Sequence, residues 1–296
     1  MKIGYFADGP WAHKALARLI EDKDIEISFI CVRYDHQDSV LMEEGRKHKI
    51  DVLRHSNINS AEFIERIKPY GCDLFVSMSF NQIFKTEIIN IPPLKTINCH
   101  AGRLPFYRGR NILNWALIND EKEFGITVHY VDEGIDTGDI ILQKIYEITD
   151  EDNYQTLLTR SYAGCADVLY EAVRRILSGR VQPIKQDSID PVGTYCGMRG
   201  PGDELLQWNQ TSREIFNFVR AVCAPGPMAL TFVDHVPVSV NKVSIITGAH
   251  TYKGIPGQII GKTERGWLVK TQDTMIELNE YETTGRLRIG KRFKNE

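Results

Sequence analysis

Two hydrophobic patterns divide the chain. From Lys2 to Leu142, short apolar runs alternate with stretches whose apolar residues recur every three or four positions. The runs are Lys2–Phe6, Ile25–Val32, Ile50–Leu53, Cys72–Met78 and Ile126–Val131. Nearly continuous apolar runs of this length predict strands buried on both faces. Helical spacing occupies Trp11–Ile20, Ser39–His48 and a segment opening at Ser60, with Glu62 and Phe63 in its first turn. The alternation predicts an α/β fold, a mostly parallel sheet with helices on both faces. Ligands bind such sheets beyond the C-terminal strand ends, where Gly9, Ser79, His100 and the loop after Val131 fall. Tyr154–Leu177 follows as a long helix with one apolar stripe, closed by Gly179 as its C-cap.

The pattern then changes. Residues 186–204 hold Pro191, Gly193, Gly197, Gly200, Pro201 and Gly202, the composition of a linker. A helix over Ser212–Val222 is followed by short segments at Met228–Val233, Val236–Val243, Gly257–Gly261, Trp267–Thr271 and Met275–Leu278. Turn residues separate them, so a small β-rich domain is expected. The expected division is 1–185, a linker over 186–204, and 205–296.

Composition narrows the class. The 296 residues are 42% hydrophobic and 25% charged, a globular balance, and the net charge of −3 provides no basic field for nucleic acid. No apolar run is long enough to span a bilayer, and Met1 leads straight into a strand, so neither a membrane anchor nor a leader is expected. Cys31, Cys72, Cys99, Cys165, Cys196 and Cys223 form no C-x-x-C pair. They suggest neither a zinc site nor a disulfide framework, and they fit a reducing cytoplasm. No His, Cys and carboxylate cluster asks for a metal.

The chemistry concentrates between Thr96 and Asp139. Asn98 and His100 are two apart on an expected strand and so project to one face. The strand ending at Val131 returns to the same edge and delivers Asp136 in the loop Asp132–Asp139. An amide donor for an oxyanion, an imidazole proton acceptor and a carboxylate that orients it would meet there. Singly, each has an ordinary structural explanation. His129, beside the strand end, reads as structural.

The ordered set resembles the formyltransferases that use N10-formyltetrahydrofolate: Asn-x-His, Leu104-Pro105-Phe106-Tyr107-Arg108-Gly109, then Asp136 within an Asp-Thr-Gly-Asp loop. The resemblance implies that Asn98, His100 and Asp136 are catalytic and that the first domain is Rossmann-like. Family members usually carry Ser-Leu-Leu-Pro where this chain has Gly102-Arg103-Leu104-Pro105. The order Trp208, helix, Arg220-Ala221, Pro225-Gly226-Pro227 and Pro256-Gly257 resembles the family's OB-like C-terminal domain. Folate would be held, largely through backbone groups, by the turn with Met78, Ser79, Phe80, Gln82 and Phe84, and by Val131, Asp132, Gly134 and Ile135. Phe80 and Phe84 also suit a purely apolar core role.

Three acceptors compete within the family. The glycinamide ribonucleotide enzymes normally lack a C-terminal domain. The methionyl-tRNA enzymes carry a basic insertion where this chain has the short, mixed Arg33–Ser39 segment. The stretch Gly193–Asp203 instead resembles enzymes that formylate UDP-4-amino sugars. The implied substrate contacts are Gly9, Pro10, Trp11, Arg108, Arg110, Tyr195 and Arg199. Trp11 also fits a helix-start core residue and Arg199 a solvated loop cation. The expected partner is a nucleotide-linked amino sugar, with no nucleic acid or membrane. The alternatives are a methionyl-tRNA formyltransferase and a noncatalytic nucleotide-sugar binder. A homodimer is compatible with the sequence.

Overall fold

The computed structural model describes residues 1–295. In chain order it contains β1 (Lys2–Ala7), α1 (Gly9–Ile20), β2 (Glu26–Cys31), α2 (Ser39–His48), β3 (Asp51–Leu53), α3 (Ala61–Ile67), β4 (Leu74–Met78), α4 (Thr86–Ile89), β5 (Thr96–His100), β6 (Arg108–Gly109), α5 (Ile112–Ile118), β7 (Glu123–Tyr130), β8 (Ile140–Glu147), α6 (Tyr154–Leu177) and β9 (Tyr195–Cys196). These are followed by α7 (Ser212–Val222), β10 (Ala229–Val233), β11 (Val236–Ile245), β12 (Ile259–Lys262), β13 (Trp267–Lys270), β14 (Met275–Glu282) and β15 (Phe293–Lys294).

The chain forms two units, and a single cut does not separate them. One comprises 1–109, 124–146 and 159–196; the other comprises 110–123, 147–158 and 197 onward. The expected linker is not structureless. It contains a 3-10 turn at Gln186–Ser188 and the strand β9, and the division falls after Cys196.

The first unit is built on a seven-stranded sheet of order β3-β2-β1-β4-β5-β7-β8. The pairs from β3 through β5 are parallel, and β7 runs antiparallel to β5. Strand order reverses between β1 and β4, which is where such sheets open a crevice at their carboxyl ends. The apolar runs are buried as their composition requires, with Phe6 packed edge-on to Phe29, Phe75 and Phe84 at 5.5, 5.3 and 5.0 Å. The helix starts follow capping chemistry. Ser60 accepts from the Phe63 N–H at the head of α3, and Asp38 accepts from the Leu41 N–H at the head of α2. Asp38 also accepts from the Gly9 N–H at 2.8 Å and lies 2.7 Å from His13 Nε2, which ties the start of α1 to that of α2.

The second unit carries an antiparallel sheet of order β12-β13-β14-β11-β10-β15. Its two edges are joined by hydrogen bonds from Ile259 N to Lys291 O and from Phe293 N to Gly257 O, both 2.8 Å. Helix α7 opens with a capping box between Thr211 and Glu214 and lays Ile215, Val219 and Val222 on the sheet core. Its other flank holds the two inserted segments. Asn114 on α5 donates to Ala221 O at 2.6 Å. Arg213 reaches Asp120 and Asp150, and Arg220 donates to Thr149 O at 2.8 Å. Among the described residues no helix is long and apolar enough to cross a membrane.

Candidate active site

The catalytic candidates lie at one edge of the first unit. Parity along β5 places Asn98 and His100 on the same face, as the sequence spacing predicts. The antiparallel register then sets His129 of β7 directly across from Asn98. The turn after β7 brings in Asp136, whose φ of 56° is left-handed, a conformation that costs a non-glycine residue about 1–3 kcal/mol unless its surroundings hold it.

Several contacts hold Asp136. Its Oδ2 accepts from the Gly109 N–H at 2.9 Å and faces His100 Nδ1 at 3.5 Å. Its Oδ1 faces His129 Nε2 at 3.5 Å and accepts from Asn98 Nδ2 at 3.4 Å. Burial alone would raise its pKa. The two imidazoles and the Gly109 N–H outweigh that and hold the carboxyl well below the usual carboxylate range. Asp136 is therefore an anion wherever the protein is folded near neutrality.

The tautomers follow from the carbonyl partners. His100 Nε2 lies 2.7 Å from Tyr107 O, and a carbonyl can only accept. The neutral ring thus carries its proton on Nε2 and a lone pair on Nδ1, facing the Asp136 carboxylate. Burial lowers the His100 pKa more than Asp136 and the Tyr107 carbonyl raise it, so the ring is neutral at pH 7 and free to take a proton at Nδ1. His129 donates from Nδ1 to Tyr130 O at 2.7 Å, and its Nε2 lies 3.3 Å from Asn98 Nδ2 and 3.5 Å from Asp136 Oδ1. The Asn98 amide contacts are long and leave room for a stronger acceptor.

Two residues of this arrangement were not expected from sequence. His129 reads as structural, and only the β5–β7 register reveals that it faces Asn98. Gln186 lies in the segment expected to be a linker, yet it is 3% exposed and donates from Nε2 to Asp136 O and Gly138 O, both at 2.8 Å.

The expected ligand contacts separate into two groups. Met78 is buried at the end of β4, and Ser79 is exposed with a φ of 57°, so the turn presents backbone. Phe80 and Phe84 both pack on Phe6, and Val131 packs on the same core. Gln82 is engaged internally: Nε2 donates to His55 O at 2.8 Å and Oε1 accepts from the Ile58 N–H at 2.9 Å. Asp132 accepts from the Gly134 N–H and from Thr137 Oγ1, shaping its own loop, while Ile135 stands 52% exposed at the tip.

Gly9 has a φ of 69° and precedes Pro10 in the first turn of α1. Trp11 packs edge-on against Tyr162 at 4.7 Å. Arg108 is buried, and its guanidinium serves Gln186 and Val192 O. Tyr195 is exposed with its ring 5.3 Å from that guanidinium. In the second unit, Arg199 is half-buried. Its guanidinium lies over Trp115 and Phe218, both at 5.5 Å, and donates to Asp203 O. Arg110 is exposed, and its Nη1 lies 3.9 Å from Met198 Sδ.

The loop has little steric slack. A Cβ on Gly138 would fall 1.9 Å from Tyr130 O and 2.8 Å from its carbonyl carbon, both backbone atoms. Gly138→Ala is expected to cost about 1–3 kcal/mol of stability through overpacking, together with the Asp136 geometry. An unchanged denaturation midpoint would contradict this.

Comparison with known proteins agrees with the geometry. Residues 13–173 match the formyl transferase family, and residues 200–293 match the formyl transferase C-terminal domain. A methionyl-tRNA formyltransferase of Ruminiclostridium cellulolyticum is 31% identical over 249 residues, covering 83% of this chain and 79% of that protein. Two solved structures share the fold. One is WlaRD, a sugar 3N-formyl transferase crystallised with dTDP and 5-N-formyl-THF (TM-score 0.69, 19% identity, 97% of this chain and 99% of that one). The other is an N-formyltransferase from Helicobacter canadensis in complex with folinic acid and dTDP-3-aminofucose (TM-score 0.68, 19% identity, 95% and 99%). The two family matches, in order along one chain and spanning both units, show that this protein belongs to the formyl transferase family.

Proposed function

We propose that this formyltransferase moves a formyl group from N10-formyltetrahydrofolate to the amine of a nucleotide-linked 4-amino-4,6-dideoxy sugar, with UDP as the nucleotide. The observation that carries the transfer is the meeting of Asn98, His100 and Asp136 around one carboxylate. The neutral amine attacks the formyl carbon. Asn98 Nδ2 gives up one of its long contacts to donate to the developing oxyanion. His100 takes the amine's proton at Nδ1, and the Asp136 Oδ2 anion balances the imidazolium charge. His100 then returns that proton from Nδ1 to the folate nitrogen as its bond to the formyl carbon breaks, leaving the formamide and tetrahydrofolate. The retained trio supports catalysis over simple binding.

Charge placement supports a small acceptor. Where tRNA enzymes carry a basic insertion, Arg33 here is paired with Asp8 at 3.2 Å and Asp35 at 2.7 Å. Arg110 remains as an exposed cation for one pyrophosphate. The solved relatives crystallised with dTDP or a dTDP-sugar lend the same support. The second reading, methionyl-tRNA as acceptor, rests on the names of the sequence relatives at 31–33% identity.

Measuring kcat/KM across a salt series decides between them, with UDP-4-amino-4,6-dideoxy sugars, their dTDP and 3-amino counterparts, and initiator methionyl-tRNA. Formylation of an amino sugar nucleotide with shallow salt dependence is expected. A tRNA gripped through six or more phosphates would lose about a thousandfold between about 50 and 200 mM salt. Efficient tRNA formylation with no activity on any sugar would overturn the acceptor and leave the chemistry standing.

A further inference from the structure

The side chain of Gln186 meets a set of partners that fixes its orientation. Arg108 offers only donors, so the atom facing its Nε at 3.0 Å and its Nη2 at 2.8 Å is the oxygen Oε1. Asp136 O and Gly138 O only accept, so the atom facing both at 2.8 Å is Nε2. Two donors and two acceptors saturate the carboxamide. Arg108 adds a bond from Nη1 to Val192 O at 3.1 Å, and its backbone N–H bonds to Thr194 O at 3.0 Å within the β6–β9 pair. Both side chains are buried, Gln186 at 3% and Arg108 at 7% exposure.

From this we infer that Gln186 and Arg108 form a buried brace that positions Asp136, and that Arg108 is a positioning residue rather than a phosphate ligand. The loop needs such a brace. Asp136 is held at a left-handed φ, and its own carbonyl is one of the two that Gln186 grips. The next residue after Arg108, Gly109, supplies the N–H that binds the Asp136 carboxylate at 2.9 Å. The brace therefore secures Asp136 from two sides, through its backbone oxygen and through its side chain. The contacts run from the 104–109 loop to the 186–195 segment and back to the catalytic loop. This is why a turn some fifty positions beyond Asp136 can decide where its carboxylate lies.

The inference rests on Asp136 acting through His100, as proposed above, and its test includes a measurement that needs no acceptor. Gln186→Leu removes all four bonds. Gln186→Glu keeps the shape and the Arg108 pairing but turns a carboxylate oxygen on the Asp136 and Gly138 carbonyls. Both should lower kcat about 100-fold, the scale of a roughly 1 Å misplacement, with acceptor KM within about threefold. Arg108→Lys should likewise lower kcat and leave KM, because a lysine lacks the planar fork that sends Nε and Nη2 to the Gln186 oxygen and Nη1 to Val192 O.

The second readout is the His100 titration, followed by NMR on the full chain without substrates. The charged or titratable groups facing His100 are Asp136, which raises its pKa, and His129, which lowers it. If the brace loosens and the Asp136 anion swings away, His100 should titrate at lower pH in Gln186→Leu and Gln186→Glu than in the unaltered chain. A stability loss alone would not move that titration. An unchanged titration in both folded variants would overturn the brace, whatever the acceptor proves to be. So would Arg108→Lys raising acceptor KM at unchanged kcat, the signature of a phosphate contact. A shifted titration in a protein that formylates no sugar nucleotide would support the brace and sink only the acceptor.

Discussion

Asp136→Asn should lower kcat by about 100- to 10,000-fold, the range lost with a positioned general acid–base partner, while the protein stays folded. The asparagine keeps the volume and can still accept from the Gly109 N–H. It removes the one anion that His100 and His129 share at 3.5 Å each. Without it, a proton on His100 Nδ1 has no countercharge in a site where burial already disfavours the charged ring. The direction of the pH effect follows. The native His100 pKa lies below its ordinary value of about 6.5, and the Asp136 anion keeps it from falling further. The acid limb of kcat/KM should therefore lie below about pH 6.5 in the native protein and move to still lower pH in the residual activity of Asp136→Asn. Asp136 itself titrates too low to set that limb. His100→Ala should show a loss of the same order and no such limb. Near-native turnover in either variant would remove the proton-transfer assignment.

Asn98→Ala is expected to reduce turnover by about 100- to 1000-fold, the usual cost of one oxyanion donor. The amide is set in place from two sides, by His129 Nε2 at 3.3 Å and Asp136 Oδ1 at 3.4 Å. Both contacts are longer than an amide–oxygen bond of about 2.9 Å, so an oxyanion could win the hydrogen from either. The loss should fall on kcat with the formyl-donor KM little changed, since the interaction strengthens only as charge develops. Single-turnover measurement with bound donor checks this. A rise in KM at unchanged kcat would make Asn98 a binding residue instead.

Much of this site is readable from the chain alone because strand parity is local information. Asn98 and His100 are two residues apart, and period two places them together whatever else the protein does. The helices over Ser39–His48, Tyr154–Leu177 and Ser212–Val222 are bounded where apolar spacing and capping residues predict. What the chain does not disclose is pairing. Nothing near His129 announces that β7 is antiparallel to β5 with Asn98 as its partner. Gln186 is hidden for a related reason: a glutamine in a Pro- and Gly-rich stretch looks like linker, and its four bonds go to three residues 48 to 78 positions away. Arg108 is a similar case: a cation beside a catalytic motif suggests phosphate, and its burial and its bonds to Gln186 and Val192 O could not be read from the chain.

The interleaving of the units bears on modularity. Helix α5 is encoded ahead of β7, yet it takes its packing partner, α7, from beyond residue 211. Asp150, and Asp120 beside its neighbour Lys122, likewise pair with Arg213. A gene fragment ending near residue 196 would carry all four side chains of the catalytic cluster and yet strand two segments whose companions are missing. Exchanging residues 197 onward between relatives would therefore leave 110–123 and 147–158 against a foreign α7 unless they are exchanged with it.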